Sequence, residues 1–226
     1  MNLNPKLILT DSAYFFKQNF GQIFALCMPW FVLTAVVQYG VMSISQQPEN
    51  TGPLFLLALA FNMLVYPVYM GCLILLMAKR AKNETADNKA LTSAAISLWQ
   101  PFFVLTVVKK ALIFFGFLLF IVPGIWAAVK LAFCQFHLVL EGLPPKEALQ
   151  KSMQTTKKPF MLILFVLALF FTPYFLVSLM FASVAYQYAI SPFIQLIVGT
   201  TLAFLMLFVD VVLFRVYMSA AGETPA

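Results

Sequence analysis

Charge is what this sequence has least of. Asp, Glu, Lys and Arg make up 10% of the 226 residues, against 62% apolar residues and a mean hydropathy of +0.92. A chain with so little polarity does not fold as a soluble globular domain, so most of it is expected in lipid. Histidine occurs once and carboxylates eight times. There is no HExxH, no GxSxG, no glycine loop to cradle a phosphate and no carboxylate pair in a polar loop. No enzyme class therefore finds its acid, base or nucleophile here, and the chain reads as non-enzymatic and without a cofactor. Cys27, Cys72 and Cys134 lie inside apolar runs, odd in number and without ligand spacing. That argues against a disulfide framework and a metal site and leaves small apolar packing. GxxxG is missing too. No cleavable leader is visible: Met1 to Phe20 carries charges and amides, and the apolar run after it ends without a small-residue cleavage site. That run is expected to stay as an anchor.

What the chain does have is six apolar runs, at about 20–44, 54–78, 101–122, 125–140, 159–184 and 192–217, that are expected to cross a bilayer. Pro29, Pro67 and Pro173 fall inside three of them as expected kinks. Three basic amphipathic stretches precede runs. The first, 1–19, sets Leu3, Leu7, Ala13, Tyr14 and Phe16 against Lys6, Asp11 and Lys17. The second, 79–100, has Leu91, Ala94, Ala95 and Leu98 on one stripe, and the third, 144–158, has Leu149 and Met153 among lysines. The expected fold is all-α: a single polytopic membrane domain over 1–226, with six transmembrane helices and three cytoplasmic amphipathic interfacial helices. Ser12 to Phe20, Ser93 to Phe102 and Ser152 to Phe160 each close a surface helix and open a span. A threefold repeat of surface helix plus hairpin explains this, and so does the polar-to-aromatic border that any helix entering lipid requires.

The formal charge of +6 sorts by side. Loops 45–53, 123–124 and 185–191 hold no Lys or Arg, whereas the N-terminus, 79–100 and 141–158 hold ten of the fourteen. The positive-inside rule places both termini in the cytoplasm. The same sorting removes the case for nucleic acid and points to membrane lipids, anionic ones included, and to a membrane-protein partner. Asn83-Glu84-Thr85 matches a glycosylation acceptor by letters but falls on the cytoplasmic side.

Lys109, Lys110, Lys130 and Arg215 remain within or at the end of the apolar runs. With Pro123 and Gly124 as the central pair of a type II turn, Lys110 and His137 fall about 18 Å below it at 1.5 Å per residue. Lys130, Cys134, His137 and Glu141 recur at helical spacing along one face, and Asp210 lies about 27 Å from the outer side, near Glu141 in depth. A charge in hydrocarbon costs at least ~2.5–3.5 kcal/mol, so such residues turn toward partners, water or headgroups. Two readings stand. In one, Lys109 or Lys110, Lys130 and His137 line an interior anion site, with Glu141 and Asp210 balancing the charge. In the other, the lysines snorkel, Glu141 is interfacial and Asp210 forms a structural pair. The basic helices likewise either only orient the spans or also recruit anionic lipid. A small transporter or channel using the interior site is the alternative to a lipid-associated or complex-associated protein.

The run FIVPGIWAAVKLAFCQFHLVLEGLPPKEALQKSMQTTK resembles the signature of the YciC-like bacterial inner-membrane proteins, and the ending LFRVYM is similar to theirs. More loosely, the PGI turn, Lys130, V-L-E-G at 139–142 and the AL-x2-S at 148–152 resemble the membrane domain of some bacterial glycerophosphodiester phosphodiesterases. The chain has no room for the catalytic barrel of that class, so its activity does not carry over. Lys130 stands where the looser pattern often has arginine, which keeps the charge but not a forked phosphate contact. The resemblance implies a bacterial inner-membrane protein associated with lipid or the envelope.

Overall fold

The computed structural model of the chain describes residues 5–44 and 51–221. Among them are ten helices and no strand: α1 Pro5–Gln18, α2 Phe20–Ile44, α3 Thr51–Ala81, α4 Asn88–Ser97, α5 Trp99–Leu119, α6 Ile121–Lys130, α7 Cys134–Glu141, α8 Pro145–Thr155, α9 Phe160–Gln187 and α10 Pro192–Ala221. Six helical segments (20–41, 52–81, 99–119, 121–141, 160–185 and 192–221) are long and apolar enough to cross a membrane. The protein is an all-α membrane bundle. Of the loop without Lys or Arg expected at 45–53, residues 45–50 lie outside the described residues, as do 1–4 and 222–226.

Local chemistry sets most boundaries. Pro5 and Pro145 open α1 and α8, where a missing N–H costs nothing. Asp87 caps α4 by accepting the Ala90 N–H at 3.3 Å. Gly142, at φ 66°, ends α7 in the left-handed region that favours glycine. The three short basic helices each run into a long one across a bend, at Asn19, at Leu98 and at 156–159. This is the surface-helix-plus-hairpin order that the sequence suggested. Pro29, Pro67 and Pro173 sit inside α2, α3 and α9.

The core is concentrated at the end of the bundle that carries the basic residues. Met70, Cys72, Leu73, Ile74 and Leu76 of α3 are fully buried there, with Phe133 and Phe136 at the start of α7 and Val212 and Val216 of α10. Phe204 of α10 meets the rings of Phe16, Phe20, Phe24 and Phe31 at 5.7–6.2 Å, all edge-on, tying α1 and α2 to α10. Toward the opposite end the helices expose apolar side chains, among them Phe175, Met180, Phe193 and Ile194, as a lipid-facing surface does.

Three expectations change. The reversal between the third and fourth apolar segments is not at Pro123-Gly124. It is made by Phe120 alone, extended at φ −164°, and α6 already begins at Ile121. Pro123 and Gly124 lie in the first turn of α6, where proline is as acceptable as in a turn. Gly124 is there for close approach: a Cβ on it would lie 2.4 Å from the Phe117 ring, and one on Gly116 would lie 2.9 Å from the Gly124 Cα. The fourth segment is also not one helix. It breaks at Leu131–Phe133, between α6 and α7. Finally, only part of the stripe expected on α4 faces the bundle, where it packs along α3. Leu91 and Ala95 are buried, Ala94 is exposed, and a Cβ on Gly71 would meet that of Ala95 at 3.1 Å.

Candidate functional site

The break between α6 and α7 is produced from α8. The Ser152 hydroxyl donates to the Lys130 carbonyl at 2.8 Å and accepts the Phe133 N–H at 3.2 Å, and the Thr156 hydroxyl donates to the same carbonyl at 3.4 Å. A serine thus stands in for the helical partners that Lys130 and Phe133 give up, which backbone groups away from water require. The break turns α7 into a short separate helix, buried from Cys134 to Val139, that packs against α3, α5 and α8.

Gln135 of α7, 2% exposed, joins three other helices. Its amide nitrogen donates to Asp210 Oδ1 of α10 at 3.1 Å. Its oxygen accepts from the Tyr66 hydroxyl of α3 at 3.1 Å and from Lys109 Nζ of α5 at 3.4 Å. The orientation follows from the partners, because a flipped amide would set its NH2 against an ammonium and its oxygen against a carboxylate. Lys109 and Asp210 thus compensate each other through an amide between them. Lys110, one residue on, does not enter this cluster; its Nζ lies over the Tyr66 ring, 5.2 Å from the centroid.

A second cluster lies further along α7. His137, 1% exposed, sets Nδ1 2.9 Å from Glu141 Oε1 and Nε2 2.9 Å from the Thr155 hydroxyl. An ionised carboxylate only accepts, so Nδ1 carries the hydrogen. Glu141 also accepts from Tyr217 at 3.1 Å on Oε1 and from Lys151 on Oε2. The His137 ring meets that of Tyr217 edge-on at 5.1 Å. Every group in this cluster has a partner in the protein, which is the arrangement of a structural joint between α7, α8 and α10.

The six predicted residues therefore do not form one site. The structure brings Lys109 to Asp210 and His137 to Glu141. Lys110 lies beside Tyr66, and Lys130 lies over the Phe160 ring at the start of α9, 5.4 Å from its centroid. The single polar stripe from Lys130 through Cys134 to Glu141 is corrected with it, because the break at 131–133 interrupts the helix that would have carried it. Arg215 stacks over Phe15 of α1 at 5.6 Å. Sequence reasoning missed Gln135, Ser152 and Thr155. A signal for Gln135 is present in the sequence, where it is an amide inside an apolar run.

Two clefts of about 490 and 550 Å³ lie at the edge of the bundle. One is lined by Ala13, Phe16, Lys17, Phe20 and Phe208, the other by residues of α2 and α4 including Trp30, Lys89 and Ile96. Neither is lined by a residue of the α7 clusters. Among the described residues no group of three or more His, Cys, Asp or Glu side chains is arranged to hold a metal ion. No protein-family model, no curated protein and no solved structure matches the chain.

Proposed function

We propose that this is a non-enzymatic, multi-pass protein of a bacterial inner membrane, related to the YciC-like proteins, that binds anionic phospholipid at its basic end. The observation that carries this reading is how the charges divide. Asp210 is compensated inside the protein by Lys109 through Gln135, and Glu141 by His137 and Lys151, while Lys110 and Lys130 lie over the rings of Tyr66 and Phe160. Lys82, Lys89, Lys146, Lys157 and Lys158 are exposed, on the loop before α4, on α4, and on α8 and the turn after it. Basic side chains at a membrane surface attract anionic lipid by about 1 kcal/mol each. With the positive-inside rule, this end faces the cytoplasm.

The test is purification in native lipid with mass spectrometry of what remains bound, for the wild type and for a variant with Lys146, Lys157 and Lys158 changed to Gln. Retained phosphatidylglycerol or cardiolipin that falls in the variant supports the reading. A lipid profile equal to the surrounding membrane in both proteins refutes it. Solute flux in proteoliposomes that disappears in Asp210→Asn would instead favour a transporter.

A further inference from the structure

The α5–α6 hairpin has the apolarity to cross a bilayer, but its inner end is pinned where it cannot reach the far side. The Lys130 carbonyl is held by Ser152 and Thr156, and its ammonium lies over Phe160, the first residue of α9. From Lys130 to the reversal at Phe120 the chain rises about 15 Å at 1.5 Å per residue, while α9 rises about 40 Å from Phe160 to Gln187. Since α6 packs against α9, the tip falls roughly 25 Å short of the end of α9, and any tilt shortens it further. A hydrocarbon core of about 30 Å beginning near Phe160 puts Phe120 close to its middle.

We propose that α5 and α6 form a re-entrant hairpin that enters and leaves the bilayer on the basic side, its tip embedded among the acyl chains of that leaflet. The tip is built for hydrocarbon. From Ala111 to Val129 no side chain carries a polar group apart from the Trp126 indole N–H, and Leu118, Leu119, Phe120, Ile121 and Val122 are 69–76% exposed. The reversal between α9 and α10, at the far end, carries Gln187, Tyr188 and Ser191. The tight reversal limits the orphaned backbone groups: the Phe120 N–H bonds to Gly116 and Pro123 has none, which leaves the N–H groups of Ile121 and Val122 and the carbonyls of Phe117, Leu118 and Leu119 as the backbone cost of burial in lipid. Lys130, ten residues from Phe120, then lies at the base beside Phe160, at headgroup depth, where a cation is inexpensive. As a full span, the hairpin would instead leave Lys130 nearest the side whose loops hold no Lys or Arg, against the positive-inside rule. The hairpin stands apart from the lipid-binding reading above and does not depend on it.

Single cysteines at Phe120→Cys, Ser191→Cys and Lys146→Cys, introduced into the full chain in sealed vesicles of one orientation, decide the matter with a membrane-impermeant maleimide. The native cysteines are buried, each 0% exposed, and serve as the unlabelled background. The expected result is labelling of Ser191→Cys from one side, of Lys146→Cys from the other, and of Phe120→Cys from neither until detergent is added. Labelling of Phe120→Cys from the Ser191 side means that the hairpin crosses, and labelling from the Lys146 side means that it lies outside the bilayer; either overturns the proposal. A second reporter guards against disturbed folding. Phe120→Trp, with Trp30, Trp99 and Trp126 changed to Phe, should be quenched more strongly by lipid labelled near the acyl-chain end than near the headgroup. The opposite order counts against a mid-bilayer tip.

Discussion

Replacing Gln135 by methionine keeps the length of the side chain and removes its amide. Asp210 then loses the donor at 3.1 Å, and Tyr66 and Lys109 lose the acceptor they share. Interhelical hydrogen bonds in membrane proteins average about 0.6 kcal/mol and reach about 1.7, so three of them amount to about 2–5 kcal/mol. Burial of the thioether returns about 1 kcal/mol of that. The expected loss is about 1–4 kcal/mol, measured by SDS titration in mixed micelles with far-UV circular dichroism as the probe. Asp210→Asn keeps an oxygen in place to accept from Gln135 and should cost less. If the contact is real, the two substitutions are not additive, with a coupling of about 1 kcal/mol or more. The reasoning fails if Gln135→Met lies within about 0.5 kcal/mol of the wild type, the range of a surface change, or if the two effects simply add.

Two other perturbations test the elements around this hub. Ser152→Ala removes both hydrogen bonds that stabilise the break at 131–133. It should cost about 1–3 kcal/mol and speed amide exchange at Phe133, measured by hydrogen–deuterium exchange; unchanged exchange there would show that the break does not depend on α8. Gly116→Val places a Cβ 2.9 Å from the Gly124 Cα, a backbone atom that cannot step aside, so the hairpin must open. A loss of about 1–3 kcal/mol is expected in thermal unfolding, against little change for Gly40→Ala, where a Cβ meets nothing within 4 Å.

Much of the fold was legible because its signals are local. Apolar runs long enough to span, and basic amphipathic stretches ahead of three of them, are read residue by residue, and the helices follow them to within a few positions. Pro123-Gly124 misled because the same dipeptide suits a type II turn and the first turn of a helix. The break at Leu131-Ala132-Phe133 carried no warning at all. None of the three is glycine or proline, and what interrupts the helix is Ser152, nineteen residues further along. The candidate site divided for the same reason, since Lys130 and His137 share a face only if the helix between them is continuous.

The sequence by itself determined that this is a helical membrane protein, how many segments have the apolarity to cross, and which end is basic. These are properties of composition and order, and hydrocarbon enforces them wherever the segments pack. Only the tertiary structure decided that Gln135 joins Lys109 to Asp210, that α7 is a separate buried helix, and where the inner end of the α5–α6 hairpin is held. Depth depends on where a segment is anchored, and the anchor is the Lys130 carbonyl held by two hydroxyls of α8 and its C-terminal cap. No count of residues along α6 reveals that contact.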